Sequence, residues 1–93
     1  MEYSVQLQKH FETLANKYHV GRIGVFGSLA RGEGTEKSDI DILVEFSEDV
    51  DLFHFIRLKG YLADVLGKDV DLVTPDALKP LIKEQVLKEV HYI

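Results

Sequence analysis

The sequence contains no cysteine and no tryptophan, and it has only two prolines among its 93 residues. Without cysteine the chain can build neither a disulfide framework nor a thiolate metal site, and it suits a reducing compartment. No basic segment leads into an apolar stretch, and no apolar run approaches the length of a membrane span. We therefore predict a cytoplasmic protein that does not engage a membrane.

An excess of positive charge is also lacking. Sixteen acidic residues stand against eleven basic ones, which gives a formal net charge of -5. Such a chain has no basic field to attract a polyanion, so direct nucleic-acid binding is not expected. The hydrophobic fraction of 45% is ordinary for folded proteins, and the length suffices for one core. Residues 1–93 are predicted to form a single domain.

The spacing of apolar residues predicts helices alternating with short strands. An amphipathic helix is expected over residues 3–18, ended by Gly21, and a second over 52–66, ended by Gly67. A last helix is expected from Pro80 to about Val90. Strands are expected at 23–26, 39–46 and 69–73, with a brief helical segment at 29–31. This order predicts an α/β fold in which helices cover one face of a small sheet.

The second strand carries the most informative pattern. Its aliphatic residues alternate with Asp39 and Asp41, so the two carboxylates should project from the face opposite the core. Their Cα atoms would lie about 7 Å apart at a rise of ~3.3 Å per residue. Carboxylates this close repel one another, and a hard divalent cation such as Mg²⁺ or Mn²⁺ relieves that repulsion. Asp39 and Asp41 are therefore candidate metal ligands.

A third candidate carboxylate lies on the third strand. Asp71 stands mid-strand between Val70 and Leu72, where aspartate is disfavoured on structural grounds. Asp69 would share its face, so spacing alone does not separate the two. We favour Asp71 because Asp69 stands at the strand entrance, where a turn role suffices.

Gly27 and Ser28 follow the first strand and supply a complementary element. A strand that ends at glycine and turns into a helical segment presents backbone N–H groups, and the serine hydroxyl adds a donor. Together these groups can cradle a phosphate. Amides for phosphate and carboxylates for metal indicate a triphosphate site.

These motifs resemble those of a known family. Gly27-Ser28, ten intervening residues and then Asp39-Ile40-Asp41 are similar to the signature of the DNA polymerase β-like nucleotidyltransferase superfamily. The fuller strings at residues 26–33 and 38–44 resemble its minimal nucleotidyltransferase branch, whose members often serve as antitoxin partners of HEPN toxins. Residues 70–73 match the strand of the family's third carboxylate. The resemblance implies a small mixed sheet of the polymerase β palm type, with helices packed on one face.

The resemblance also implies an activity and a set of roles. Asp39 and Asp41 would hold two Mg²⁺ ions, with Mn²⁺ as an alternative, and Asp71 would join one metal and act as base. Gly27 and Ser28 would bind the terminal phosphates of ATP or another nucleoside triphosphate. The implied reaction is transfer of a nucleoside monophosphate, AMP from ATP, to a hydroxyl on a HEPN toxin, a tyrosine near its active site. Such a protein adenylyltransferase would act as antitoxin.

Several alternatives stay open. The protein could instead neutralise a HEPN toxin as a non-catalytic binding antitoxin, and the sequence leaves its homo-oligomeric state undecided. Arg31 could contact nucleotide phosphate or form an ion pair with Glu33 or another surface acid. The four histidines show no mutual ligand spacing and are predicted to be ordinary helix or terminus residues. Phe53, Phe55 and Tyr61 are predicted to pack in the core.

Overall fold

The computed structural model describes residues 2–35 and 37–93. Helices and strands alternate along them much as the sequence predicts. In chain order they are α1 (Glu2–Lys9), α2 (Phe11–Tyr18), β1 (Val20–Phe26), α3 (Gly27–Ala30), β2 (Ile40–Phe46), α4 (Leu52–Leu66), β3 (Val70–Val73), a 3-10 turn (Pro75–Ala77), α5 (Pro80–Glu89) and β4 (His91–Tyr92).

The strands form one mixed sheet in the order β3-β2-β1-β4. β1 pairs antiparallel with both β2 and β4, whereas β2 and β3 run parallel, joined by the crossover through α4. The predicted fold class, a small mixed sheet with packed helices, is confirmed.

One face of the sheet carries the core. On β2 the side chains of Ile40, Ile42 and Val44 are completely buried, and they pack with side chains of α1, α2 and α4. Asp41 and Glu45 alternate with them and therefore project from the opposite face, which we call the open face. Leu43, between these two acids, is nevertheless buried. The functional candidates on β2 thus lie on the side away from the main helical layer.

The amino-terminal helix differs from its prediction in two respects. The single predicted helix is broken at His10, whose ring lies 3.1 Å from the Tyr61 hydroxyl of α4 and so ties the break to the core. The helix also ends before Gly21. His19 adopts a left-handed conformation (φ 58°), donates its backbone N–H to the Leu14 carbonyl and allows β1 to start at Val20. Gly21 is therefore a strand residue.

The ends of α4 agree with the sequence prediction, and its buried face agrees with it in part. The Asp51 carboxylate accepts a hydrogen bond of 2.7 Å from the His54 backbone, and Gly67 closes the helix at φ 69°. The sequence predicts an apolar stripe made of Leu52, Phe55, Ile56, Lys59, Leu62, Ala63 and Leu66. Leu62 and Leu66 are buried as predicted, whereas Leu52 and Ile56 are 68% and 53% exposed. Leu58, which is outside the predicted stripe, is completely buried.

The aromatic predictions on α4 are divided in the same way. Phe55 and Tyr61 pack against the core as predicted, whereas Phe53 is 72% exposed and the prediction for it is wrong. At the carboxyl end, the two-residue strand β4 pairs with Gly24 and Val25 of β1 and has no counterpart in the sequence prediction. A strand this short leaves no periodic pattern. Across the described residues, every helix falls short of the length and apolar character that a membrane crossing requires.

Candidate active site

Two of the predicted aspartates lie side by side on neighbouring strands. In the parallel pairing of β2 with β3, Asp41 is the direct register partner of Asp71. Asp69 precedes β3, and its backbone carbonyl accepts a hydrogen bond from the Ile40 N–H. The register therefore distinguishes two residues that spacing alone could not, and it places Asp71 beside Asp41.

The surroundings of Asp41 disfavour the charged form of its carboxyl group. Burial raises the pKa of its carboxyl, and the nearby charge of Asp71, a hydrogen bond with Asp71 and the charge of Asp39 raise the pKa further. The Arg31 charge acts in the opposite direction. A hydrogen bond between two carboxyl groups requires a proton on one of them. The site is thus short of positive charge.

Gly27 lies directly against the Asp41 carboxylate. It has a positive φ of 79°, and a Cβ built there would collide with the Asp41 Oδ2 and lie 2.9 Å from its Cγ. The φ angle disfavours L side chains, and the collision leaves no room for one. Only glycine lets the chain turn from β1 into α3 at this contact. The predicted phosphate-binding turn and the predicted metal ligands therefore meet.

The segment after Gly27 is a short helix, as the sequence predicted for residues nearby. Ser28 lies in the first turn of α3, where backbone N–H groups have no partner within the helix. The Arg31 and Glu33 N–H groups close the segment by donating to the carbonyls of Gly27 and Ser28. Ser28 is thereby fixed one residue from the Gly27–Asp41 contact.

Asp39 lies just before β2 and is exposed, so the predicted strand began one residue too early. It belongs to the same electrostatic cluster, since its charge raises the pKa of Asp41. It also borders a shallow concavity of about 620 Å³ between the loop at Lys37 and the carboxyl end of α4. Asp41 and Asp71 lie outside this concavity, on the open face.

Arg31 forms ion pairs with two glutamates. Its Nε donates to Glu33 at 3.0 Å, and its Nη1 donates to Glu89 of α5 at 2.9 Å. Both contacts raise the pKa of the guanidinium, with the Glu33 hydrogen bond as the largest contribution. Two N–H groups are used, which leaves three of the five guanidinium donors for other partners. The predicted ion pair with Glu33 is present, and the side chain stays close enough to lower the pKa of Asp41.

Glu89 is the neighbour of this site that the sequence reasoning missed. It is separated from Arg31 by 58 positions and reaches it only because α5 packs beside α3. Its side chain is only 21% exposed, and Gln85 donates a hydrogen bond of 3.3 Å to it. No local sequence signal connects these two residues.

The chemistry of the donors suits a hard cation. Within residues 2–35 and 37–93, no three His, Cys, Asp or Glu side chains are gathered as a complete metal-binding group. The Asp41 and Asp71 carboxyls are nevertheless in contact, and the raised pKa of Asp41 reflects a repulsion that a divalent cation offsets. Oxygen donors of this kind favour Mg²⁺ or Mn²⁺ over softer metals.

Comparison with known proteins identifies the family of the chain. A family model described as a nucleotidyltransferase domain matches residues 7–93. The chain belongs to this family. The prediction of an enzyme of the nucleotidyltransferase class is confirmed.

The nucleotidyltransferase is similar to a named relative and to solved structures. It is 48% identical over 87 residues to protein adenylyltransferase MntA of Thermococcus cleftensis, with 94% of this chain and 88% of that protein covered. A solved structure assigned provisionally as a minimal nucleotidyltransferase matches with a TM-score of 0.77 and 40% identity, covering 97% of this chain and 87% of that chain.

A second solved structure contains a tri-AMPylated HEPN toxin of Shewanella oneidensis in complex with an MNT antitoxin. It matches with a TM-score of 0.67 and 25% identity and covers 97% of this chain and 70% of that chain. The predicted resemblance to minimal nucleotidyltransferases that accompany HEPN toxins is confirmed.

Proposed function

We propose that this nucleotidyltransferase is a Mg²⁺-dependent protein adenylyltransferase that transfers AMP from ATP to a tyrosine hydroxyl of a HEPN-family toxin and thereby acts as its antitoxin. The observation that carries the proposal is the register pair Asp41 and Asp71 on the open face, with Gly27 directly against the Asp41 carboxylate. The similarity to MntA and to the MNT antitoxin in complex with an AMPylated toxin supports the same reaction.

In this proposal Asp39, Asp41 and Asp71 hold the divalent cations. When bound, the cations would neutralise the carboxylate and phosphate charges and polarise the reacting phosphoryl group. The donor set fits them, because the charges of Asp71 and Asp39 both act on Asp41 and are only partly offset there by the opposing charge of Arg31.

The residues of the chain have distinct roles in the proposed transfer. The acceptor hydroxyl oxygen attacks the α-phosphorus of ATP, and the bond from that phosphorus to the bridging oxygen of the β-phosphate breaks. Asp71 takes the hydroxyl proton, and pyrophosphate leaves. The turn at Gly27 and Ser28 holds the terminal phosphates through its backbone amides and the serine hydroxyl. Arg31 presents its remaining donors to the same phosphates.

The open position of the site supports an acceptor carried by another protein. Asp71 is exposed and Asp41 is half-buried on a sheet face, rather than at the base of a deep cavity. A small substrate would be poorly enclosed there, since small-molecule sites usually bury most of their ligand. A protein surface can cover such a site itself.

Label transfer tests this proposal. The chain is incubated with Mg²⁺ and a HEPN-family toxin, and with ATP labelled at either the α- or the γ-phosphate. Label from the α-phosphate should appear on the HEPN protein, and label from the γ-phosphate should not.

Variants identify the residues responsible. Asp41→Asn and Asp71→Asn should each reduce transfer at least 100-fold, because each removes a charged oxygen donor. Asp69→Asn is the matched control and should transfer normally, since Asp69 lies outside the strand register. Equal transfer by wild type and all three variants would refute the proposed catalytic roles.

A binding antitoxin without catalysis is the second candidate. It is favoured by the similarity to an antitoxin solved in complex with its toxin. Neutralisation of the HEPN protein by the Asp39→Asn, Asp41→Asn double variant separates the two. Full neutralisation by this variant would favour binding alone, and loss of neutralisation with intact complex formation would favour adenylyl transfer.

A further inference from the structure

A groove lined by both apolar and acidic side chains lies at the far end of β2 from the paired aspartates. It has a volume of about 930 Å³ and runs between the end of β2 with its following loop, the start of α4, the 3-10 turn and α5. None of Asp39, Asp41 and Asp71 lines it. We call it the α4–α5 groove.

Large apolar side chains are exposed along both helices of the α4–α5 groove. Leu52 of α4 and Leu87 of α5 line it and are 68% and 44% exposed. Beside Leu52 on α4, Phe53 and Ile56 are 72% and 53% exposed. Apolar side chains grouped this way on a soluble fold mark an interaction site.

The exposed apolar side chains of α4 are not needed for the contacts of this helix with the core. The same helix buries Leu58, Leu62 and Leu66 against the sheet, so its core face is complete without Leu52, Phe53 and Ile56. α4 therefore carries a second apolar surface at its amino-terminal end. Leaving these side chains in water has no structural benefit for the isolated chain.

Charge specifies what could occupy the groove. Five acidic residues and two basic ones line it. One of the basic residues, Arg22, is engaged within the chain, since its guanidinium lies 3.6 Å from the centre of the Tyr92 ring and 3.9 Å from Glu45. The rim is thus negative, and it complements a segment that combines apolar and basic side chains.

A second copy of this chain is a poor occupant. Each copy has a net charge of -5 and would present the same acidic rim to its partner. Like charges brought together across an interface oppose association. A basic partner protein meets both requirements of the groove.

The position of the groove relates it to the transfer site. Glu45 lines the groove and projects from the same face of β2 as Asp41. Asp41 precedes Glu45 by four residues in this strand. At a rise of ~3.3 Å per residue, their Cα atoms are about 13 Å apart. When a partner protein binds in the groove, one of its side chains next to the bound segment can therefore reach the aspartates.

We propose that the α4–α5 groove docks a basic, apolar segment of the HEPN-family partner and so presents the acceptor hydroxyl to the open face. This inference rests on the proposed function for the identity of the partner. Docking supplies the positioning that the open site does not provide by itself. It also assigns a role to the exposed apolar residues of α4 and α5.

Titration calorimetry with the HEPN-family toxin that serves as acceptor in the transfer assay tests the groove. Leu52→Asp and Leu87→Asp should each weaken binding at least tenfold, because each places a charge where an apolar contact is expected. Val5→Asp is the matched control. Val5 is 54% exposed on α1, outside the groove, and its variant should bind within twofold of wild type.

Each outcome decides the proposal. Unchanged binding by Leu52→Asp and Leu87→Asp would overturn it, as would equal weakening by Val5→Asp. Sedimentation of the isolated chain tests the other occupant. A dimer that both groove variants dissociate, with HEPN binding unchanged, would assign the groove to a second copy and overturn the proposal.

The transfer reaction separates this proposal from the proposed function. Groove-dependent binding without any adenylyl transfer would leave the groove standing and refute the activity. Normal transfer by both groove variants at partner concentrations below saturation would support the activity and overturn the groove.

Discussion

At the scale of single residues, Gly27 links the two halves of the candidate site. Its positive φ and its contact with the Asp41 carboxylate both require the absence of a side chain. The sequence predicted a glycine turn for phosphate approach, but it could not predict that the same glycine makes room for a carboxylate on the neighbouring strand. That contact depends on the pairing of Phe26 with Asp41 across β1 and β2.

Replacing Gly27 by alanine should therefore destabilise the fold for two reasons. The left-handed backbone costs about 1 kcal/mol for an alanine, and the collision with Asp41 adds to it. Gly32 is a matched control, because its φ is 75° and a Cβ there would meet nothing within 4 Å. In urea unfolding, Gly27→Ala should lose about 1 kcal/mol or more beyond Gly32→Ala. Equal losses would contradict the contact.

Asp41 makes stability depend on pH in the metal-free protein. Its folded-state pKa is raised, so its contribution to stability is full below the unfolded pKa of about 3.9 and is lost as pH rises through the folded value. The Asp41→Asn variant has no carboxyl group at this position, so it does not lose stability in this way as the pH rises. In EDTA the variant should be more stable than wild type near pH 7 by up to about 1 kcal/mol, since solvent screens the site.

Urea unfolding of wild type and Asp41→Asn across the acid range checks the sign. The advantage of the variant should shrink as the pH falls towards about 3.5, where the wild-type carboxyl is protonated in both states. An advantage that grows on acidification would show that Asp41 is stabilised as a carboxylate in the fold, and would contradict the crowding of Asp41 by Asp71 and Asp39.

At the scale of elements, the sequence predicted the order of helices and strands better than their faces. The caps of α4 were readable because Asp51 and Gly67 act locally. The exposure of Leu52 and Ile56 was not readable, because apolar residues surround much of α4 and the sequence does not show which of them meet the sheet. The break at His10 depends on a contact with Tyr61, 51 positions away, which no local pattern encodes.

The buried face of α4 can be tested directly. Leu58→Ala should cost about 2–5 kcal/mol of unfolding free energy, because this side chain is completely buried. Ile56→Ala should cost less than about 0.5 kcal/mol, because Ile56 is largely exposed. The urea concentration at the midpoint of unfolding is compared between the variants, provided that the slope of unfolding free energy against urea concentration is unchanged. A larger loss of stability for Ile56→Ala than for Leu58→Ala would show that Ile56 is buried, as the sequence predicted.

At the scale of the whole molecule, the acidic composition has two separate consequences. Some of the sixteen acidic residues crowd the candidate metal site, where a bound cation would offset their charge. Others line the rim of the α4–α5 groove. Glu45 of the groove and Asp41 of the candidate site share the open face of β2, so the acidic residues behind the net charge of -5 are divided between two neighbouring surfaces.

Part of the candidate site could be predicted from the sequence, because strand alternation alone directs the Asp41 side chain away from the core. Its pairing with Asp71 and its contact with Gly27 depend on strand register, which spacing along the chain does not fix. The second ion pair of Arg31 with Glu89 could not be predicted, because it depends on how α5 packs beside α3. The groove could not be predicted either, since it is formed by elements that are distant in the chain.

The central claim is that this chain adenylylates its HEPN-family partner through the aspartates of the open face. Intact-mass spectrometry of that partner tests it most directly, after incubation with ATP, Mg²⁺ and either wild type or the Asp39→Asn, Asp41→Asn double variant. The account predicts partner mass increased by one or more adenylyl groups with wild type and unchanged mass with the variant. An unmodified partner after incubation with folded, ATP-binding wild type would contradict it.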